Sequence, residues 1–184
     1  MNEFIQNLGL TSDYLIVTGF AVLALLIILS VIFKDSPEKS KSKLKTIFLF
    51  VLAINIILFL VLHRLVGEYF DSNFINPGIL SFVFMIILTF LFSIQIAMKI
   101  KNSIPKTKKG GNLEEISKVI LKENSISLIE VSLLFQLPVI SMYFMGNGSL
   151  NGLLVYLFLS NFIVTLTYLF FLPKAFRIFN NILD

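Results

Sequence analysis

The 184-residue chain has no cysteine and only one histidine, His63. Without thiols it has no disulfide, thiolate metal site or cysteine nucleophile, and a single imidazole cannot build a multi-histidine metal centre. We therefore expect no cofactor and no bound metal. Charge is also scarce, since only 14% of the residues are Asp, Glu, Lys or Arg, against about 25% in soluble domains.

Hydrophobic residues are abundant in the chain. They make up 57% of the chain, including 20 Phe, and the mean hydropathy is +0.90. A helix needs about 20 mostly apolar residues to cross the roughly 30 Å hydrocarbon layer of a membrane, and five segments qualify: about 14–33, 44–65, 77–98, 128–145 and 150–172. Since backbone groups in lipid must be satisfied within each segment, the sequence predicts an all-α, multi-pass membrane protein forming one domain of five transmembrane helices.

The basic residues predict how the chain is threaded. Five lysines fall in 34–45, seven in 99–124, and Lys174 and Arg177 in the C-terminal tail, so Arg64 is the only basic residue on the other side. The positive-inside rule makes the lysine-rich side cytoplasmic, with the N-terminus outside. The first residues lack the basic region and cleavage site of a secretory signal, so we expect the first helix to remain as an anchor. The abundance of Phe, Ile, Asn and Lys is typical of AT-rich genes and favours a bacterial source. We therefore expect the protein in the inner membrane of a bacterium.

Local signals predict where helices begin and end. Pro77 follows Asn76 at the predicted start of the third helix, and Pro173 lies where the fifth helix should stop. Residues 112–124 have the pattern of a short amphipathic helix capped by Asn112, and the tail has another, with Phe176, Phe179 and Leu183 on one side. Both are predicted to lie on the cytoplasmic membrane surface.

The linker KIKNSIPKTKKGG is polybasic and lies next to the membrane. Lys106, Lys108 and Lys109 are therefore predicted to contact anionic lipid headgroups. Nucleic acid is not an expected partner, because no aromatic residues between the lysines offer a surface for base stacking.

Few polar residues lie within the spans. Asn55 and Asn161 are near the centres of the second and fifth helices, and Gln136 and Pro138 are near the centre of the fourth. Amides at this depth most often form hydrogen bonds between helices, although Asn55, Gln136 and Asn161 could instead line one polar cavity for a solute or water. Pro138 should bend its helix, with Gln136 bonding to a carbonyl that the proline frees or to a neighbouring helix.

Glu130 is the only acidic residue inside a predicted span. A carboxylate in mid-membrane is a candidate for proton or cation coupling. However, Ser127 and Glu130 have the S-x-x-E spacing of a capping box, which would place Glu130 in the first turn of the fourth helix at the cytoplasmic boundary. We predict this capping role. His63 and Arg64 are predicted to form an interfacial pair whose charged ends reach toward the headgroups, with a pH-sensitive histidine as the alternative.

Two functions from different classes remain. The spans lack the combination of nucleophile, general base or metal ligands that an enzyme needs, so an enzyme is not expected. The leading hypothesis is a non-catalytic subunit, assembly factor, scaffold or immunity-type protein that packs its helices against other membrane proteins or copies of itself. The alternative is a small oligomeric transporter or channel subunit with a polar site around Gln136, Asn55 and Asn161.

Overall fold

The computed structural model describes residues 12–66, 77–103, 113–145 and 151–182, and all of these except 33–37 are helical. The helices are α1 (Ser12–Ile32), α2 (Glu38–Val66), α3 (Pro77–Ser103), α4 (Leu113–Met145), α5 (Asn151–Leu166), a π-helical segment (Thr167–Phe171) and α6 (Leu172–Ile182). Within these residues, five helical stretches are long and apolar enough to cross a membrane. The prediction of an all-α fold is confirmed for the described residues, and so is the prediction of five helices with the length and apolar composition of membrane spans.

Helix α3 is the centre of the bundle. It begins at Pro77, as predicted, and packs against α1, α2, α4 and most extensively α5. Half of its most apolar stretch is buried within the protein, including Phe82, Phe92 and Ile96. The other spans therefore hold their positions largely through contacts with α3.

Helices α1 and α4 are the most exposed spans. Only 17% of the most apolar stretch of α1 and 11% of that of α4 is buried, against 33% for α2 and 44% for the fifth span. The exposed side of α1 is a stripe of apolar side chains: Phe20, Leu23, Ile27 and Val31. The exposed side of α4 is wider and also contains Glu130.

Helix α4 differs from the sequence prediction, because it runs unbroken for 33 residues. Ser127 lies inside this helix and cannot cap it, so the predicted capping box with Glu130 is wrong. The small polar side chains before Ser127 bond to their own helix instead of starting a new one: Asn124 donates to the Ile120 carbonyl at 2.5 Å and Ser125 to the Lys122 carbonyl at 2.9 Å. Asn112, the predicted cap of the surface helix, lies outside the described residues.

The fifth span also continues past its predicted end at Pro173. Proline cannot donate a backbone hydrogen bond, and its ring crowds the carbonyl four residues earlier. The π-helical segment immediately before it widens the turn, with the Leu172 N–H donating to the Thr167 carbonyl five residues back. We attribute the survival of the helix through Pro173 to this wider turn.

Helix α6 packs on the protein through its apolar side. It contacts α2 and α4, with Leu172 and Phe176 buried. The Phe179 ring meets Phe50 of α2 edge to face, with centroids 5.4 Å apart. Phe176 and Phe179 thus share one side, as predicted, and that side faces the bundle; Leu183 lies outside the described residues.

The continuity of α4 can be measured by spin labelling, since the chain has no cysteine of its own. Labels at Val119→Cys and Leu133→Cys, two exposed positions, bracket Ser127. An unbroken helix places the two Cα atoms about 21 Å apart, at 1.5 Å per residue, so electron paramagnetic resonance should give one narrow distance distribution.

The matched control carries labels at Ile16→Cys and Val31→Cys in α1, where an uninterrupted helix gives about 22 Å. A distribution for α4 that is clearly shorter or broader than the α1 control would show that a break near Ser127 exists after all.

Candidate functional site

Four buried polar side chains form a hydrogen-bonded group that joins α2, α3 and the π-helical segment. Asn55 Nδ2 donates to Thr89 Oγ1 at 3.0 Å, and the Tyr168 hydroxyl donates to the Thr89 carbonyl at 2.8 Å. Ser93 also hydrogen-bonds the Tyr168 hydroxyl. All four side chains are fully buried. Asn55 Oδ1 is a buried acceptor with no hydrogen-bond partner in the described part of the chain.

A second group joins α4 to α5. Asn161 Nδ2 donates to the Ser132 carbonyl at 2.8 Å, and Ser132 Oγ donates to Asn161 Oδ1 at 3.3 Å. Thr165 Oγ1 lies 2.9 Å from both Ser132 Oγ and the Asn161 carbonyl. This reciprocal arrangement is the interhelical role expected of an amide in a membrane span.

Gln136 belongs to neither group. It is buried and lies one turn beyond Ser132, but it makes no hydrogen bond to the residues that the structure describes. It therefore does not bond to the carbonyl that Pro138 leaves without a donor. Pro138 is exposed, and α4 continues through it. Among the described residues, Asn55, Gln136 and Asn161 share no hydrogen-bond partner.

The interhelical hydrogen bonds also fix the relative depth of the helices. Lys45 and Lys99 each lie ten residues, about 15 Å, from the bond between Asn55 and Thr89. Likewise, Ser93 contacts Tyr168. Lys99 lies six residues past Ser93, and Lys174 lies six residues past Tyr168. Lys45, Lys99 and Lys174 are therefore close to one depth, which we call the lysine level.

Glu130 lies well inside that level. Gln95, one turn or about 6 Å from Lys99, donates to Ser127 Oγ at 3.3 Å. Glu130 is three residues further along α4, so it lies about 10 Å from the lysine level. Glu130 thus lies within the span and not at the predicted membrane boundary. Its side chain is exposed on the surface of α4.

The contact between α4 and α5 places Glu130 deeper than the contact with Gln95 does. Ser132 bonds to Asn161, which is ten residues past Asn151, so Glu130 lies about 18 Å from the start of α5. Lys174 is 23 residues, about 34 Å, past Asn151, so by this contact Glu130 lies about 16 Å from the lysine level. Glu130 is thus about 10–16 Å from that level, a third to a half of the way across the roughly 30 Å hydrocarbon layer. A charged side chain at the centre of a span costs about 2.5–3.5 kcal/mol, so an exposed carboxylate at this depth needs an explanation.

An aromatic cluster surrounds His63 at the end of the bundle opposite the lysine level. Its members are Tyr14, Phe59, His63, Phe82 and Tyr156. His63 Nδ1 lies 3.0 Å from the Tyr156 hydroxyl, and its ring is 5.6 Å from that of Tyr14 and 6.4 Å from that of Phe59. His63 thus packs inside the protein instead of reaching toward the headgroups, so that part of the prediction is wrong.

The aromatic cluster was missed at the sequence level because its members come from four helices. The available signal was position alone: Tyr14 begins α1, His63 ends α2, Phe82 lies near the start of α3 and Tyr156 near the start of α5. In an antiparallel bundle these four positions meet at the same end. The Tyr14 hydroxyl is buried without a hydrogen-bond partner in the described part of the chain.

Several cavities lie beside α4. One, of about 220 Å³, is lined only by apolar and aromatic side chains of α4 and α5, among them Val139, Phe144 and Phe158. A second, of about 230 Å³, lies near the lysine level and is lined in part by Lys118, Lys122 and Ser125. A third, of about 300 Å³, lies between α3 and α4, with Lys99 and Glu123 in its lining. The first suits an acyl chain and the second an anionic group. Lys106, Lys108 and Lys109, predicted to contact headgroups, lie outside the described residues.

The Ser132 and Asn161 contact can be tested by a double-mutant cycle. Ser132→Ala and Asn161→Leu each remove part of the reciprocal bonding, so their effects on the free energy of unfolding should not add. We expect a coupling of about 0.6 kcal/mol and at most about 1.7 kcal/mol, measured by reversible unfolding in mixed detergent micelles.

Gln136→Leu paired with Ser132→Ala is the matched control, because Gln136 is a buried amide on the same helix without a hydrogen bond to Ser132. A coupling as large for this pair as for Ser132 and Asn161 would contradict the assigned contacts.

Comparison with known proteins identifies no relative. No protein-family model, no curated protein and no solved structure matches this chain. The contacts, depths and exposed groups of the chain itself are therefore the basis for assigning it a function.

Proposed function

We propose that this chain is a non-catalytic component of a membrane protein assembly, a subunit, assembly factor, scaffold or immunity-type protein that acts by packing against other membrane proteins. We place it in the inner membrane of a bacterium, with the N-terminus outside and the C-terminus cytoplasmic. The lysine level supports this orientation, because it gathers Lys45, Lys99 and Lys174 at one depth on the side that carries most of the basic residues.

The observation that carries the proposal is the exposure of α4. Only 11% of its most apolar stretch is buried by the rest of the protein, and its buried residue Ser132 bonds to Asn161 of α5. The interior is thus occupied by contacts within the bundle, and a wide outer surface of α4 remains for another membrane protein.

Lipid is the second proposed partner. The cavity near the lysine level presents Lys118 and Lys122 one turn apart on α4, next to Ser125. Basic cavities between helices on the cytoplasmic side suit anionic headgroups. Together with the polybasic linker, they support an anchoring contact with the cytoplasmic leaflet.

A small oligomeric transporter or channel subunit is the alternative, favoured by one observation. Asn55 Oδ1 is fully buried and has no hydrogen-bond partner among the described residues, and a water or solute could supply the missing donor. Flux of a solute or ion in proteoliposomes that is abolished by Asn55→Leu, Gln136→Leu or Asn161→Leu would favour this alternative.

The leading proposal is tested by purifying the full chain at native abundance in mild detergent. We expect a fixed ratio to at least one other membrane protein, because the exposed surface of α4 is covered in the assembly. Leu134→Trp on α4 should reduce recovery of that protein by placing bulk in the interface.

Ile57→Trp on α2 is the matched control, since Ile57 is 59% exposed and Leu134 68% exposed and both are apolar. A stable monomer recovered alone, or equal effects of the two substitutions, would count against the proposal.

A further inference from the structure

The carboxylate of Glu130 lies in the middle of an apolar surface. Around it, one or two turns away along α4, are four exposed apolar side chains: Ile126, Leu133, Leu134 and Leu137. We call these four residues and Glu130 the Glu130 face. No ion pair or hydrogen bond engages Glu130 in the described ranges. An unpaired carboxylate surrounded by lipid-facing groups is unfavourable, and such residues mark functional contacts by default.

The exposed side of α1 provides the contrast. Its stripe of Phe20, Leu23, Ile27 and Val31 is entirely apolar, as lipid contact alone requires. The Glu130 face has the same apolar surroundings but adds one negative charge. Lipid therefore accounts for the surface of α1 and leaves the charge on α4 without a counterpart.

No cation in the described part of the chain reaches the depth of Glu130. Lys99 and the other members of the lysine level lie about 10–16 Å away in depth, and Lys122 is eight residues, about 12 Å, back along α4. A second copy inserted in the same orientation would carry its lysines at the same levels. It would bring its own Glu130, and not a basic side chain, to this depth. Self-association through this face would thus oppose two carboxylates.

We propose that the Glu130 face binds a transmembrane helix of a different membrane protein, one that carries a Lys or Arg side chain at the depth of Glu130, about 10–16 Å inside the lysine level. The basic side chain pairs with Glu130, and the four apolar residues pack against the rest of the partner helix. In hydrocarbon such a pair is poorly screened, so it selects a partner by charge and by depth. This inference rests on the proposed function and names the surface and the chemistry of its partner.

A synthetic helix of known sequence tests whether the Glu130 face selects its partner by charge and by depth. The full chain is reconstituted in phosphatidylcholine vesicles with a synthetic Leu/Ala transmembrane helix that carries one Lys at the depth of Glu130, and association is followed by resonance energy transfer. We expect the Lys helix to bind about tenfold more tightly than the same helix with Leu, and Glu130→Gln to remove most of that difference.

Two controls separate the proposed pair from general attraction. Glu123→Gln removes an exposed acid from the same helix near the lysine level and should leave binding unchanged. A probe whose Lys lies three turns deeper should bind like the Leu helix. Equal binding of the Lys and Leu helices, or equal effects of Glu123→Gln and Glu130→Gln, would overturn the inference.

A second experiment identifies the natural occupant. A photo-reactive phenylalanine analogue is placed at Ile126 or Leu137 on the Glu130 face, and at Phe20 on α1, in the native membrane. We expect Ile126 and Leu137 to give adducts with another polypeptide whose cross-linked helix contains Lys or Arg, and Glu130→Gln to reduce these adducts several-fold.

The other outcomes distinguish this inference from the proposed function. Adducts with a second copy of the chain, or with lipid alone at the Glu130 face, overturn the inference. Polypeptide adducts at Phe20 combined with lipid adducts at Ile126 overturn it while leaving the proposed function standing. Lipid adducts at all three positions contradict both.

Discussion

Hydrocarbon offers no hydrogen-bond partner, so a polar group within the five spans is stabilised when it finds one inside the protein. This preference pairs Asn55 with Thr89 and Asn161 with Ser132, and each pair fixes the register of two helices at once. The relative depths of α2, α3, α4 and the fifth span then follow. The lysines reach a common level because the buried amides and hydroxyls meet.

Among the described residues, Glu130 does not bond within the bundle as these polar groups do. Buried polar groups such as Ser93 and Tyr168 bond within the bundle, whereas Glu130 faces outward. A carboxylate that served the bundle itself would be expected on the buried side of α4, where Ser132 bonds to Asn161. Its outward position instead supports the proposal that the Glu130 face binds another membrane protein.

Much of the fold could be predicted because it depends on local composition. Runs of about 20 apolar residues locate the spans, and Pro77 marks the start of α3. The continuity of α4 could not be predicted, because Ser127 fits a cap and a helix interior equally well, and Asn124 and Ser125 can either start a new helix or bond back to their own, as they do. Partners such as Thr89 for Asn55 are likewise set by the register between helices, which periodicity within one helix does not contain.

The length of α4 has a mechanical consequence. At 1.5 Å per residue its 33 residues span about 50 Å, some 20 Å more than the hydrocarbon layer. Its first three turns therefore project beyond the membrane as part of the same rod. With no hinge at Ser127, a force applied to the projecting end would tilt or rotate the whole rod, and the Glu130 face would move with it.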